Sequence, residues 1–142
     1  MRVRDIMSTP VASVPGLTSI RVAAKQMAAA GTGSLLVDDA GELRGIVTDR
    51  DLMVRALAEG VDPEDPVARV MTPTVITVGA DADVATAYQI LGNHSVRRLP
   101  VLDHGQLVGM LSVDDLVVVL SRELAALSRP IRDELSTPDT QE

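Results

Sequence analysis

Apolar positions along the chain change period several times, and each change marks an element. After a Pro-containing turn, Val11 to Val14 is a short β-rich run. Ile20, Ala23, Met27 and Ala30 then recur at i, i+3, i+7 and i+10, which predicts a helix that Thr18 or Ser19 can cap and Gly31 can end. Two strands follow, Ser34 to Val37 and Leu43 to Val47, joined by the hairpin-type turn Asp38-Asp39-Ala40-Gly41. A last helix starts near Asp49 and closes at Gly60.

The same order then runs again. Val75 to Val78 is the second β-rich run, and Val84, Ala87 and Leu91 carry a helical stripe that Asp81 can cap and Gly92-Asn93 weakens at its end. Strands Leu99 to Leu102 and Leu107 to Leu111 meet around Asp103-His104-Gly105, and a final helix runs from Val113 through Leu127. An offset of 64 maps Met7 to Met71, Val14 to Val78, Met27 to Leu91, Val37 to Val101 and Gly45 to Gly109 with no gap. Chance similarity rarely holds one register over such a span, so the chain is read as an internal duplication. Residues 1–60 form the first repeat, 61–66 a polar linker, 67–127 the second repeat, and 128–142 a tail expected to be flexible. Each repeat is an α+β unit of order β-α-β-β-α. Such a unit buries little alone, and two packed face to face are expected to share one core.

Composition narrows the chemistry. Of 142 residues, 46% are hydrophobic but only 1% aromatic, so Val, Leu, Ile, Ala and Met must do the packing, and Tyr88 is the one ring apart from two imidazoles. The absence of cysteine removes disulfides, thiolate metal sites and a Cys nucleophile, and fits a reducing compartment. No apolar run approaches the ~20 residues that span a bilayer, and no signal-like segment opens the chain, so a cytoplasmic protein that does not enter membranes is expected. The net charge of -7 argues against a nucleic-acid partner but leaves room for a small anion held by local arginines.

The repeated chemistry is G-x-x-[S/T]-x-x-D at a strand-to-helix junction: Gly45, Thr48 and Asp51, then Gly109, Ser112 and Asp115. Glycine permits close approach to the backbone, a hydroxyl at a helix N-terminus sits where an anion is favoured, and a carboxylate suits the vicinal hydroxyls of a ribose. Equally, Thr48 and Ser112 are ordinary helix caps and the two aspartates ordinary first-turn acids. Both readings stand at this point.

With Asp5-Ile6-Met7, Gly45 to Leu52, Val70-Met71-Thr72-Pro73, Val96 to Val101 and Gly109 to Leu116 on the page, the sequence resembles the CBS domain family, named after cystathionine β-synthase, as a tandem pair or Bateman module. Within it, the chain is similar to the small stand-alone actinobacterial proteins of the hypoxic-response type. The resemblance implies two repeats about a pseudo-two-fold axis, with two clefts that in many members bind adenosine nucleotides or S-adenosylmethionine. It implies that Asp51 and Asp115 hold ribose hydroxyls, that Thr48 and Ser112 bind phosphate or ribose oxygen, and that residues around Thr9 to Val11 and Pro73 to Val75 line the base. The basic pair preceding the second strand in the AMP-activated protein kinase gamma subunit, which reaches phosphates, corresponds to Arg97 and Arg98. The first repeat has Gly33-Ser34 there, and Arg50 is matched by Asp114, so the clefts are expected to be unequal. Candidate ligands are AMP, ADP, ATP and S-adenosylmethionine, with no cofactor required. The alternative is a structural or protein-interaction module with empty clefts.

His94 at a helix end and His104 in a turn have no second ligand at metal spacing, and no nucleophile elbow or phosphate loop occurs, so neither a metal site nor an enzyme is expected. Leu116-Val117-Val118-Val119-Leu120 wraps a helix on all sides, which predicts either a centrally buried helix or an oligomer interface. Leu52-Met53-Val54 at the matching place favours a homodimer through the final helices, and an unknown protein partner is the other expected route of output.

Overall fold

The computed structural model describes residues 1–136, with side chains described to residue 128. The first repeat comprises β1 (Ser13–Val14), α1 (Ile20–Ala30), β2 (Ser34–Asp39), β3 (Glu42–Thr48) and α2 (Asp49–Asp51), which continues as a π-helical segment, Leu52–Leu57. The second comprises β4 (Val78–Gly79), α3 (Val84–His94), β5 (Arg98–Asp103), β6 (Gln106–Ser112) and α4 (Val113–Ser136). Each repeat builds a three-stranded sheet, β1-β2-β3 or β4-β5-β6, with a parallel first pair and an antiparallel second pair. The duplication extends to register: Ser34 pairs with Thr48 as Arg98 pairs with Ser112, and the ladder slips after Val37 as it does after Val101. Both hairpins turn on two consecutive residues at positive φ, Ala40-Gly41 and His104-Gly105, a geometry that follows the twist of the flanking strands.

The expected caps are met in the first repeat. Ser19 Oγ accepts from the Val22 amide at 3.1 Å, and Gly31 ends α1 at φ 65°. In the second, Asp83 rather than Asp81 occupies the N-cap position, and Asp81 takes the Arg4 guanidinium at 2.7 Å instead. That hydrogen-bonded guanidinium holds the Asp81 carboxyl below its ordinary value. Helix α3 also runs through Gly92-Asn93 to His94, and Ser95 closes it at φ 53°. Strands β1 and β4 are two residues each, shorter than expected, because Val11, Val75 and Ile76 line clefts instead of pairing. Helix α4 continues past Leu127 to Ser136, although Pro130 lies within that stretch. The part of the expected tail after Ser136 lies outside the described residues.

The shared core is the expectation that fails. Two separate aliphatic clusters form, one per sheet, and each is completed by the segment that enters the other repeat. Val67 and Val70 are buried with Val14, Met27, Leu35 and Val47, while Val3 is buried with Val78, Leu99, Val101, Leu111 and Leu116. The geometry is reciprocal. Ser8 and Met110 exchange backbone hydrogen bonds at 2.8 and 3.1 Å, and Thr72 and Ile46 do so at 2.8 and 3.0 Å. Leaving an aliphatic side chain in water costs about 1.5–3 kcal/mol, so neither segment is free to peel away.

This exchange explains both motif glycines. A β-carbon at Gly45 would stand 2.5 Å from the Thr72 carbonyl oxygen and 2.8 Å from Met71 Sδ; at Gly109 it would stand 2.5 Å from Met7 Sδ. Gly45 and Gly109 admit the methionine of the opposite repeat rather than a ligand.

A candidate ligand cleft between the repeats

The strand-to-helix junctions are fixed by reciprocal caps. The Thr48 amide donates to Asp51 Oδ2 at 2.9 Å while the Asp51 amide donates to Thr48 Oγ1 at 3.1 Å. Ser112 and Asp115 repeat the arrangement at 3.1 and 3.0 Å. Each aspartate thus spends one oxygen on its own helix start, the capping-box reading of the motif. The second oxygen of Asp51 faces Arg55 Nε at 3.6 Å, and Asp115 Oδ2 also takes the Ser8 hydroxyl at 3.4 Å.

A cleft of about 720 Å³ opens beside the first of these junctions. The first repeat lines it with Gly33, Ser34, Ile46, Thr48, Asp49 and Arg50, and the second with Thr74, Val75, Ile76, Val96, Arg97, Arg98, Pro100 and Met110. Its character is divided. Ile46, Val75, Ile76, Val96, Pro100 and Met110 form an aliphatic wall, and Arg50, Arg97 and Arg98 bring three guanidinium groups against the single carboxylate of Asp49. Among the described residues Arg50 and Arg98 form no ion pair, while Arg97 meets Asp114 at 3.7 Å in a fully exposed contact of little strength. Guanidinium groups are matched in shape and charge to phosphate oxygens. The cleft therefore suits a flat apolar group joined to an anion.

A second cleft of about 140 Å³ is lined by Pro10, Val11, Ala12, Thr32, Ser34, Leu36, Arg98 and Met110. Adding or subtracting 64 turns every one of these into a residue of the larger cleft, so the two are pseudo-symmetric counterparts. Ser34 and Arg98 are equivalent positions and line both, with Arg98 Nη1 donating to Ser34 Oγ at 3.4 Å. Where Ile46 stands in the larger cleft, Met110 stands at the equivalent place in the smaller.

Of the residues expected from sequence, Thr48, Arg50, Val75, Arg97 and Arg98 meet in the larger cleft, and Val11 lines the smaller with Arg98. Thr9 is exposed and lines neither. Asp51, Ser112 and Asp115 sit at the junctions, engaged in their caps, and Gly45 and Gly109 face the repeat-to-repeat contact. Thr74, inside the expected segment Pro73 to Val75, lines the larger cleft too, whereas Ile46, Asp49, Ile76, Val96, Pro100 and Met110 are lining residues that the sequence had not singled out. Ile46 and Met110 carried a signal, since they share a place inside the repeated motif. Among the described residues no group of three or more His, Asp or Glu could hold a metal ion, and no helix is long and apolar enough to cross a membrane.

Comparison with known proteins agrees with this architecture. The family profile of the CBS domain matches residues 3–57 and 67–122. CBS domain-containing protein YhcV of Bacillus subtilis is 36% identical over 116 residues, covering 82% of this chain and 83% of that protein. Hypoxic response protein 1 of Mycobacterium tuberculosis is 32% identical over 115 residues and 80% of either chain. A crystal structure of Hypoxic Response Protein I with two coordinated zinc ions superposes with a TM-score of 0.75, at 30% identity, over 82% of this chain and 97% of that one. The CBS domain pair of MJ0100, solved with 5'-methylthioadenosine and S-adenosyl-L-methionine, gives a TM-score of 0.71 at 27% identity, covering 87% of this chain and 98% of that one. CBSX2, solved with AMP, gives 0.73 at 26% identity, covering 85% and 96%.

Proposed function

Since the chain belongs to the CBS domain family and carries the domain twice, we propose that it is a regulatory module that binds an adenosine-type ligand, AMP-like or S-adenosylmethionine, in the larger cleft. CBS domain proteins of this type are regulatory rather than enzymatic, and the solved pairs of MJ0100 and CBSX2 hold such ligands. The observation that carries the reading is one cleft with an aliphatic wall for a base and three guanidinium groups for a phosphate. The base lies between Val75, Ile76, Val96 and Met110, because no aromatic ring lines the cleft. Thr48 and Arg50 take the ribose-phosphate end, with Arg97 and Arg98 closing on the phosphate from the other repeat. Asp51 reaches ribose hydroxyls with the oxygen its cap leaves over.

The exposed apolar residues of the π-helical segment Leu52–Leu57 and of α4, among them Met53, Leu57, Val117, Leu124 and Leu127, form the surface of a homodimer. Ligand occupancy is relayed through that dimer or to a protein partner in the cytoplasm.

The test is thermal unfolding with AMP, ADP, ATP and S-adenosylmethionine in turn. A ligand that binds only the native state, present at a hundredfold its dissociation constant, is expected to raise the midpoint by about 5–10 °C. No shift with any of the four overturns the reading in favour of a module whose clefts stay empty.

A further inference from the structure

A groove runs between the first and last helix of each repeat, and the two grooves are pseudo-symmetric. One, of about 360 Å³, lies between α1 and α2, and the other, of about 320 Å³, between α3 and α4. Ile20 and Val84, Arg21 and Ala85, Ala24 and Tyr88, and Ala56 and Leu120 are equivalent lining pairs. The first wall is aliphatic and the second adds Tyr88 to Val84, Val119 and Leu120, and Leu57 and Leu124 stand exposed beside them at 79% and 65%. Their charge is not alike. The first groove presents Arg21 and Lys25, whereas the second presents the two acids Asp83 and Glu123 against one cation, the Met1 ammonium. Arg21 is held by Glu64 at 2.6 Å, which leaves Lys25 as the cation without an ion pair among the described residues. Asp83 and Glu123 likewise form no ion pair among the described residues. Glu59, the counterpart of Glu123, is exposed at the end of the first repeat but does not line its groove.

From this we infer that two copies of the chain associate head to tail, the Lys25 groove of one copy seated on the Glu123 groove of the other, and the reverse across the two-fold axis. The head-to-head alternative sets Lys25 against Lys25 and Asp83 and Glu123 against themselves. Head-to-tail contact replaces each like pair by an opposite one, twice per dimer, on the same apolar surface. The inference rests on the homodimer proposed above and adds its orientation.

A chain without cysteine makes the test direct. Lys25→Cys and Glu123→Cys variants, one carrying an added tag to separate them by size, are treated with a short bismaleimide, alone and mixed. Head-to-tail association is expected to give cross-linked product only in the mixture. Product from either variant alone overturns the orientation while leaving the dimer intact, and a dimer that yields no product in any sample overturns it as well. A wild-type chain that light scattering finds monomeric at micromolar concentration removes the dimer itself. As a second measurement, Lys25→Glu should weaken the dimer several-fold and Glu123→Lys on the same chain should restore it. A head-to-head dimer instead stays nearly unchanged on Lys25→Glu, because that change replaces one like-charge contact by another.

Discussion

At Gly45 the atom in the way of a side chain is backbone, the Thr72 carbonyl oxygen; at Gly109 it is first the mobile thioether of Met7. Gly45→Ala is therefore expected to destabilise by about 1–3 kcal/mol, the usual range for overpacking, and Gly109→Ala by less, since Met7 can swing aside. Urea unfolding at constant m-value reads both. Arg4 and Asp81 bear on acid stability. Asp81 ordinarily titrates near 3.8 and is held lower in the folded chain by its hydrogen bond to Arg4. The pair's contribution is thus present above the unfolded value and lost as pH falls through the folded one. Arg4→Ala should flatten that acid limb in a pH series of melting curves, and salt should blunt the difference, because the pair is open to solvent. Sequence read these residues unevenly. The motif's glycine, hydroxyl and acid were visible as a unit, yet their immediate work is packing and capping, tasks that leave the same signature as ligand contact.

Elements were legible wherever a period was sustained. Helix α1 and the four hairpin strands lie where the hydrophobic pattern puts them, because helical stripes and alternating strands each bury one face. Short extended runs such as Val11 to Val14 were over-read: a β-branched run cannot say whether it pairs with a neighbour or lines a cleft. Nor does any local pattern reveal that the turn containing Val3 belongs to the core of the second repeat. That assignment depends on contacts nearly eighty residues away, Val3 N donating to the Ala82 carbonyl at 2.9 Å. A chain lacking residues 1–8 should consequently lose stability in the second repeat first. Hydrogen exchange is expected to show β5 and β6 less protected than β2 and β3, whereas unchanged protection in β5 and β6 would mean that the segment is dispensable to its host core.

For the whole molecule, the duplication makes two clefts and the substitutions between repeats make them different. Arg50 and Arg97 line the larger but not the smaller, Gly33, the counterpart of Arg97, lines the larger as well, Asp114, the counterpart of Arg50, lines neither, and the volumes are about 720 and 140 Å³. One adenosine ligand per chain is the expected stoichiometry in a calorimetric titration. Asp51→Ala should weaken binding and Asp115→Ala should leave it nearly unchanged; equal losses would mean that the clefts act alike. The unequal basic pair, Arg97-Arg98 against Gly33-Ser34, was legible in the sequence. The small size of the second cleft was not, since no local pattern shows that Arg98 and Ser34 meet at a wall common to both.

The reciprocal placement of Val3 and Val67 has a consequence for ancestry and for synthesis. A lone repeat of this sequence carries the piece that completes a core but cannot insert it into its own. A twin could receive it and return the favour, so a half-chain is expected to pair with a second copy in the same reciprocal way. The tandem protein is such a pair with its two halves joined through Val61 to Pro66. On the ribosome, the first sheet must then wait for Val67 and Val70 to emerge before its core can close.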